Sequence, residues 1–297
     1  MGRRRGPGIE VKTPAELAAM REAGQVVARA LTAAAAAVAP GVATADLDAI
    51  ASAEIRAAGA LPSFLGYQGF PAAICVSIND EIVHGIPHPA RVLREGDVVS
   101  IDCGAIVAGW HADAALTVGV GTISGRLVAL LGACERALWE GLAAARPGAR
   151  LSDVSHAVER TVRSAGEYGI VEDYVGHGIG SQMHMDPLVP NQGVPGRGPV
   201  LAEGMAFAIE PLVVLGSPAT RLLNDGWTVV SEDGGWSAHF EHTVAITADG
   251  PWVLTVPEGW DGAGSAAAEP GRPVRSAEAG HIVHSAEPGH IVHSAER

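Results

Sequence analysis

The 297 residues are 47% apolar and carry a formal charge of −13. That is ample for one large core or two, and the wrong sign for a general nucleic-acid-binding surface. No run approaches the ~18 charge-free apolar residues of a membrane span, which excludes a helical membrane protein.

Arg3-Arg4-Arg5 leads into Gly-Pro-Gly rather than an apolar signal core, so a cytoplasmic protein is expected. Cys75, Cys103 and Cys134 form no CxxC and no paired framework, which suits a reducing compartment without structural zinc. Alanine is abundant throughout, so helices are better read from caps and periodicity than from alanine content.

Thr13-Pro14-Ala15-Glu16 is a capping box with proline at the first helical position, opening a helix to about Val38 that Pro40-Gly41 ends. Leu47, Ile50, Ala51 and Ile55 fall at helical spacing in a second helix, closed by Gly59. Strand-like runs follow over 72–78 and 98–118.

The stretch 96–117, GDVVSIDCGAIVAGWHADAALT, sets two aspartates in an otherwise apolar hairpin. With Ala108-Gly109 as the turn, residue 102 lies opposite 115 and 104 opposite 113. Side chains alternate faces, so Asp102 and Asp113 share one face unless a bulge intervenes. Two like charges that close repel, or one stays protonated, unless a cation sits between them. No Lys or Arg lies between Arg94 and Arg126, which makes a shared metal ion the economical solution; an edge hairpin with water-facing aspartates is the alternative.

The helix-pair pattern returns 107 residues later without a gap: Ala30-Leu31, Pro40-Gly41, Asp46, Arg56 and Ala58-Gly59 recur as Ala137-Leu138, Pro147-Gly148, Asp153, Arg163 and Ala165-Gly166. Two copies are too few for a solenoid, so two halves pack against each other with a cleft between them. Strand-like runs over 205–215, 228–230 and 239–247 complete the second half. Strands following helices argue an α+β class with a largely antiparallel sheet.

That second half offers further donors. His177 sits in Gly176-His177-Gly178-Ile179-Gly180, and His184 follows in Gln182-Met183-His184. Glu210 ends the apolar run Ala206 to Ile209, and Glu241 lies in Phe240-Glu241-His242-Thr243; neither has a Lys or Arg nearby in sequence. Asp102, Asp113, Glu210 and Glu241 sum to four negative charges, which two divalent cations would balance, and His177 adds one neutral nitrogen. An oxygen-rich, one-imidazole set suits Mn²⁺, Fe²⁺ or Co²⁺ at least as well as Zn²⁺. Two such ions make a hydrolytic device.

The residues that carry these donors also carry a resemblance. Asn79-Asp80-Glu81-Ile82-Val83-His84-Gly85-Ile86-Pro87, the Asp102/Asp113 spacing, GHGIG with His184, Ile209-Glu210-Pro211, Asp225-Gly226-Trp227-Thr228-Val229 and FEHT at Glu241 resemble the type I methionine aminopeptidases in six ordered blocks, over nearly all of 10–256. The resemblance implies a duplicated, pseudo-twofold pita-bread fold, an antiparallel sheet backed by helix pairs. It implies Asp102, Asp113, His177, Glu210 and Glu241 as ligands of two divalent ions (Co, Mn, Fe or Zn), with Asp113 and Glu241 bridging. It assigns a methionine pocket to Phe64, Tyr67, Phe70, Cys75, Met183 and Trp227, with departures from the commonest family pattern at Phe64 and Met183, and places His84 and His184 beside the metals as non-ligands.

The expected activity is removal of the initiator methionine from nascent chains with a small second residue, Glu210 doubling as proton acceptor. The expected partners are nascent N-termini, with the ribosome as a candidate partner through Arg3 to Arg5; no nucleic-acid substrate, no membrane contact and a monomeric state are expected. An Xaa-Pro aminopeptidase of the same fold is the alternative, but such relatives generally carry an extra N-terminal domain, where only about nine residues precede the core here. A non-catalytic pita-bread binding module is the other, expected to have lost a ligand.

Three regions are expected: a short extension (1–9), one catalytic domain (10–258) and a low-complexity tail (259–297). From residue 269 the tail repeats with a period of nine, including the HxxH pairs His281/His284 and His290/His293; a disordered, incidental tail is expected.

Overall fold

A computed structural model describes residues 8–259. Arg3 to Arg5 and the nine-residue repeats lie outside them. Four helices form two pairs, α1 (Pro14–Ala36) with α2 (Thr44–Ala57), and α3 (Gly125–Ala144) with α4 (Leu151–Ala165).

The strands of the first half are β1 (Leu61–Pro62), β2 (Ile74–Ile78), β3 (Glu81–Val83), β4 (Val98–Val107) and β5 (Trp110–Gly119). Those of the second are β6 (Gly169–Ile170), β7 (Gly176–Gly178), β8 (Met185–Val189), β9 (Ala206–Ile209), β10 (Leu212–Val214), β11 (Thr220–Leu222), β12 (Val229–Ser231), β13 (Ser237–His239), β14 (Glu241–Thr247) and β15 (Gly250–Val253).

The main sheet runs β1-β4-β5-β14-β9-β7-β8, with β2 added on β4 and β15 on β14. Two three-stranded sheets, β13-β10-β6 and β11-β12-β3, flank it. Every strand pairing among the described residues is antiparallel.

Each helix pair covers its own half of the main sheet. Val27, Leu31, Leu47 and Ile55 pack on Ile74, Val76, Ile101 and Cys103 in the first half. Leu130, Leu138, Val154 and Val158 pack on Phe207, Ile209, Val244 and Ile246 in the second. Burying each such aliphatic side chain contributes roughly 1.5–3 kcal/mol, so these interfaces hold the sheet as a stiff platform.

The two copies share a capping device. The Asp46 carboxylate accepts from the Ala43 N–H (3.1 Å) and the Asp153 carboxylate from the Arg150 N–H (2.7 Å), each three residues into its helix. Both satisfy an amide that the helix start leaves orphaned. The Thr13 box forms as expected, its hydroxyl accepting from the Glu16 N–H and the Glu16 carboxylate from the Thr13 N–H.

Several boundaries differ from expectation. α1 ends at Ala36 rather than near Val38, in a cap whose Ala37 N–H donates to the carbonyls of Ala34 and Ala35; Pro40 keeps the chain beyond from continuing as helix. The run 205–215 is two strands in two different sheets, broken at Glu210-Pro211. The run 239–247 is likewise broken at Phe240, between β13 and β14. Hydrophobicity reads continuously across both breaks because both sheets are buried, so the pattern carries no sign of the switch.

Candidate metal centre

The β4–β5 hairpin closes on Ala108 (φ 50°) and Gly109 (φ 83°), the positive-φ pair of a tight two-residue hairpin turn. Its register is Asp102 opposite Ala115 and Gly104 opposite Asp113, without a bulge. Both aspartates therefore share one face.

The neighbouring strands extend these positions into two rows. Ala115 lies opposite Glu241 on β14, which puts Asp102 and Glu241 in the first row. Thr243 and His177 each lie opposite Ala208 of β9, and the Thr243 hydroxyl ties this row to Asp113, accepting from its N–H (2.9 Å) and donating to its carbonyl (2.8 Å). Glu210 follows β9, where the chain leaves the main sheet. Ala115, Gly104 and Ala208 are small, which leaves space above the sheet for the longer side chains.

Those side chains converge. The His177 Nε2 is 3.7 Å from Glu210 Oε1, and Asp113, His177 and Glu241 each offer a donor atom within 4.8 Å of the others. The His177 Nδ1 lies 3.0 Å from the Gly178 carbonyl. A carbonyl only accepts, so Nδ1 carries the proton and Nε2 presents its lone pair to the cluster.

The electrostatics of the metal-free cluster are those of crowded, dehydrated acids. Burial pushes the Asp113 carboxyl up to about 7, and burial with the Asp113 charge pushes Glu210 up to about 8. Asp102 and Glu241 are raised well above the ordinary range, first by burial and then by Asp113 and Glu210. His177 is pushed down to about 3 by burial and stays neutral.

A cavity of about 220 Å³ adjoins these groups, lined on its far side by Phe64, Tyr67, Phe70, Cys75, Met183 and Trp227. It is smaller than the ~300–1,000 Å³ of clefts that take drug-sized ligands, and suits a single side chain. Phe70 and Trp227 meet edge to face at 5.1 Å. Burial, then the charges of Asp102 and Asp113, raise the Cys75 thiol, which keeps it a neutral, soft wall.

The two remaining histidines stand at the mouth. His84, at φ 59°, directly follows β3 and is pushed down to about 4 by burial. His184 is exposed, with its ring 4.3 Å from that of His177 and its Nδ1 2.9 Å from the Tyr67 hydroxyl. Beyond them a groove along Tyr174, Gln182, Asp186 and Leu188 runs out to the surface.

The model of metallopeptidase family M24 matches residues 18–248. The chain belongs to that family. It is 55% identical over 253 residues to methionine aminopeptidase 1 of Mycobacterium tuberculosis, covering 84% of this chain and 95% of the relative. Among solved structures it resembles methionine aminopeptidase from Thermotoga maritima, at 42% identity and a TM-score of 0.82, covering 84% of this chain and all of that one. Prolidase from Pyrococcus furiosus shares the fold alone, at 22% identity and a TM-score of 0.65 over 84% of this chain and 66% of that one. The two half-sheets, each backed by its helix pair, are the pita-bread arrangement of this M24 chain.

The cluster also fits the divalent ions that M24 enzymes use. Five buried side-chain nitrogen or oxygen atoms lack a hydrogen-bond partner among the described residues, and four of them lie here: Asp102 Oδ1, Asp113 Oδ1, Glu241 Oε1 and His239 Nε2. Orphaned acceptors of this kind cost roughly 1–3 kcal/mol each, more when charged. Cations among them would satisfy several at once.

All thirteen site residues expected from sequence line this one cavity and its mouth. Three features were not anticipated. His239 joins the cluster with Glu210 and Glu241; its place two residues before Glu241 was the available signal. Tyr67 bonds to His184 as well as lining the pocket, and Glu10 accepts from the Ser181 hydroxyl (2.6 Å), strapping the N-terminal segment onto the loop before Met183 and His184. Those two contacts join residues more than one hundred positions apart and leave no local trace.

Proposed function

We propose that this chain removes the N-terminal methionine from nascent polypeptides, using two divalent ions held by Asp102, Asp113, His177, Glu210 and Glu241. The observation that carries this reading is one carboxylate-and-imidazole cluster sharing a cavity of single-side-chain size with a largely apolar wall. A thioether is unbranched and polarizable, so the aromatic walls with Cys75 and Met183 accept it well.

When bound, the ions supply Lewis acidity toward the scissile carbonyl and the attacking water. Glu210, whose carboxyl burial and the Asp113 charge keep protonated only in the metal-free cluster, is ionised in the loaded centre and takes the proton from that water. His184, neutral and exposed at the mouth, donates its Nε2–H to the developing oxyanion, with the Tyr67 hydroxyl holding Nδ1 as acceptor. His84 orients the leaving amide nitrogen and relays its proton. The second residue of the substrate passes between the two histidines, a passage that rejects bulk by overlap.

The same reading treats 10–258 as one catalytic unit, working as a monomer in the cytoplasm where nascent N-termini emerge, with Arg3 to Arg5 as the segment to test for ribosome contact. An Xaa-Pro specificity is not favoured, since the likeness to prolidase is one of fold. The test is a peptide assay with Met-Gly, Met-Leu and Ala-Pro starts under defined metals. Met-Gly should be cleaved fast, Met-Leu far more slowly and Ala-Pro not at all. Equal rates on Met-Gly and Met-Leu would refute the small-second-residue reading, and preferential cleavage of Ala-Pro the methionine reading.

A further inference from the structure

His239 lies at the end of β13, 2% exposed, with its Nε2 lacking any hydrogen-bond partner. Its backbone is pinned from both sides: its N–H donates to the Thr117 hydroxyl (2.8 Å), and that hydroxyl donates to its carbonyl (2.8 Å). The backbone is therefore held in place, and Nε2 lies within reach of both Glu210 and Glu241.

The spacing there is informative. Nε2 is 3.7 Å from Glu210 Oε2 and 3.7 Å from Glu241 Oε2. That is longer than the ~2.7–3.2 Å of an N–H···O hydrogen bond. It is within the ~4.4 Å limit for two donors on one ion with bonds of ~2.0–2.2 Å. His177 stands at the same 3.7 Å from the other oxygen of Glu210, so two imidazoles bracket that carboxylate, one at each oxygen.

We propose that His239 is a sixth protein ligand of the metal centre, giving it a second imidazole nitrogen alongside Glu210 and Glu241. This rests on the metal-centre reading and goes beyond the five ligands expected from sequence. Imidazole suits Fe²⁺, Co²⁺ and Zn²⁺, whereas carboxylate oxygen suits Mn²⁺ and Mg²⁺. The second nitrogen therefore tilts this centre toward the former group.

The experiment uses full-length protein and counts imidazole nitrogens coupled to bound Mn²⁺ by pulsed electron paramagnetic resonance, with Co²⁺ and Mn²⁺ affinities from titration calorimetry. Wild type should show two coupled imidazoles. His239→Gln and His177→Gln should each show one, and His239→Gln should lose at least about tenfold in Co²⁺ affinity, the lower end of what ligand-supporting groups are worth, with a smaller loss for Mn²⁺. One imidazole in wild type overturns the proposal without any variant, so a folding defect in His239→Gln cannot shield it. An unchanged count and affinity in His239→Gln also overturns it. If His177→Gln alone loses a coupled imidazole, the five-ligand centre stands without His239; if wild type binds neither ion, both readings fall.

Discussion

The contact between Tyr67 and His184 gives a prediction whose size follows from the geometry. Tyr67→Phe keeps the aromatic wall of the pocket and removes only the hydroxyl, which lies 2.9 Å from His184 Nδ1. The pair is neutral and His184 is exposed, so water can partly replace the hydroxyl. The expected cost is that of one neutral hydrogen bond, ~0.5–1.5 kcal/mol, or roughly two- to tenfold at ~1.4 kcal/mol per decade. Because the group lost orients a donor to the oxyanion, the change should appear in kcat, with KM for a Met-Gly peptide little altered. His184→Ala removes the donor itself and should lower kcat by about 10²–10³-fold.

The decisive quantity is the double-mutant cycle. If Tyr67 acts through His184, adding Tyr67→Phe to His184→Ala should cost nothing further, since groups in one hydrogen-bond pair are not additive. Metal content, measured by emission spectrometry, should stay at the wild-type value in all three variants. Full additivity of the two effects would show that Tyr67 acts on the substrate directly. Loss of metal in step with activity would show that His184 is a ligand.

Asp113→Asn keeps the backbone bonds to Thr243 and removes one charge from the centre of the cluster, so the protein should fold while metal affinity falls by at least ~10–100-fold; full turnover after exhaustive chelation would contradict the metal-dependent reading. His84→Ala should reduce kcat by about 10²–10⁴-fold with metal retained, and a rate close to wild type would leave His84 with a packing role only. Deleting residues 261–297 should leave melting temperature and turnover unchanged, because the nine-residue repeats cannot bury a core of their own; a marked fall in either would assign the tail to the working enzyme.

The metal-free protein should also lose stability as pH rises from about 6.5 to 8.5. Asp113 and Glu210 hold protons in the fold up to about 7 and about 8 that the unfolded chain has released near ~4. Their stabilising contribution is present at low pH and is lost through those values. The buried histidines, pushed down to about 3 to 4, act in the opposite sense and are finished by ~6.5. Saturating Mn²⁺ should abolish the fall by replacing the protons. Scanning fluorimetry across the window checks this, and a metal-free melting temperature that rises there would refute it.

What the sequence determined by itself was everything set by neighbours along the chain. The Thr13 capping box, the repeat at an offset of 107, and the pairing of Asp102 with Ala115 and Gly104 with Asp113 depend on spacing and turn chemistry, and they could be read because a two-residue hairpin turn fixes register. The grouping of Asp102, Asp113, His177, Glu210 and Glu241 could be read as a charge problem, since no Lys or Arg lies near to balance them. Tertiary structure alone decided where the chain changes sheets. Glu210-Pro211 and Phe240 sit inside apolar runs, and a buried strand reads the same whichever sheet it joins. Those two crossings bring Glu210, His239 and Glu241 within reach of one another, and the pocket wall, the Tyr67–His184 bond and the Glu10–Ser181 strap depend on the same long-range packing. Such contacts form only once the helix-backed halves have closed, which is why no local pattern announces them.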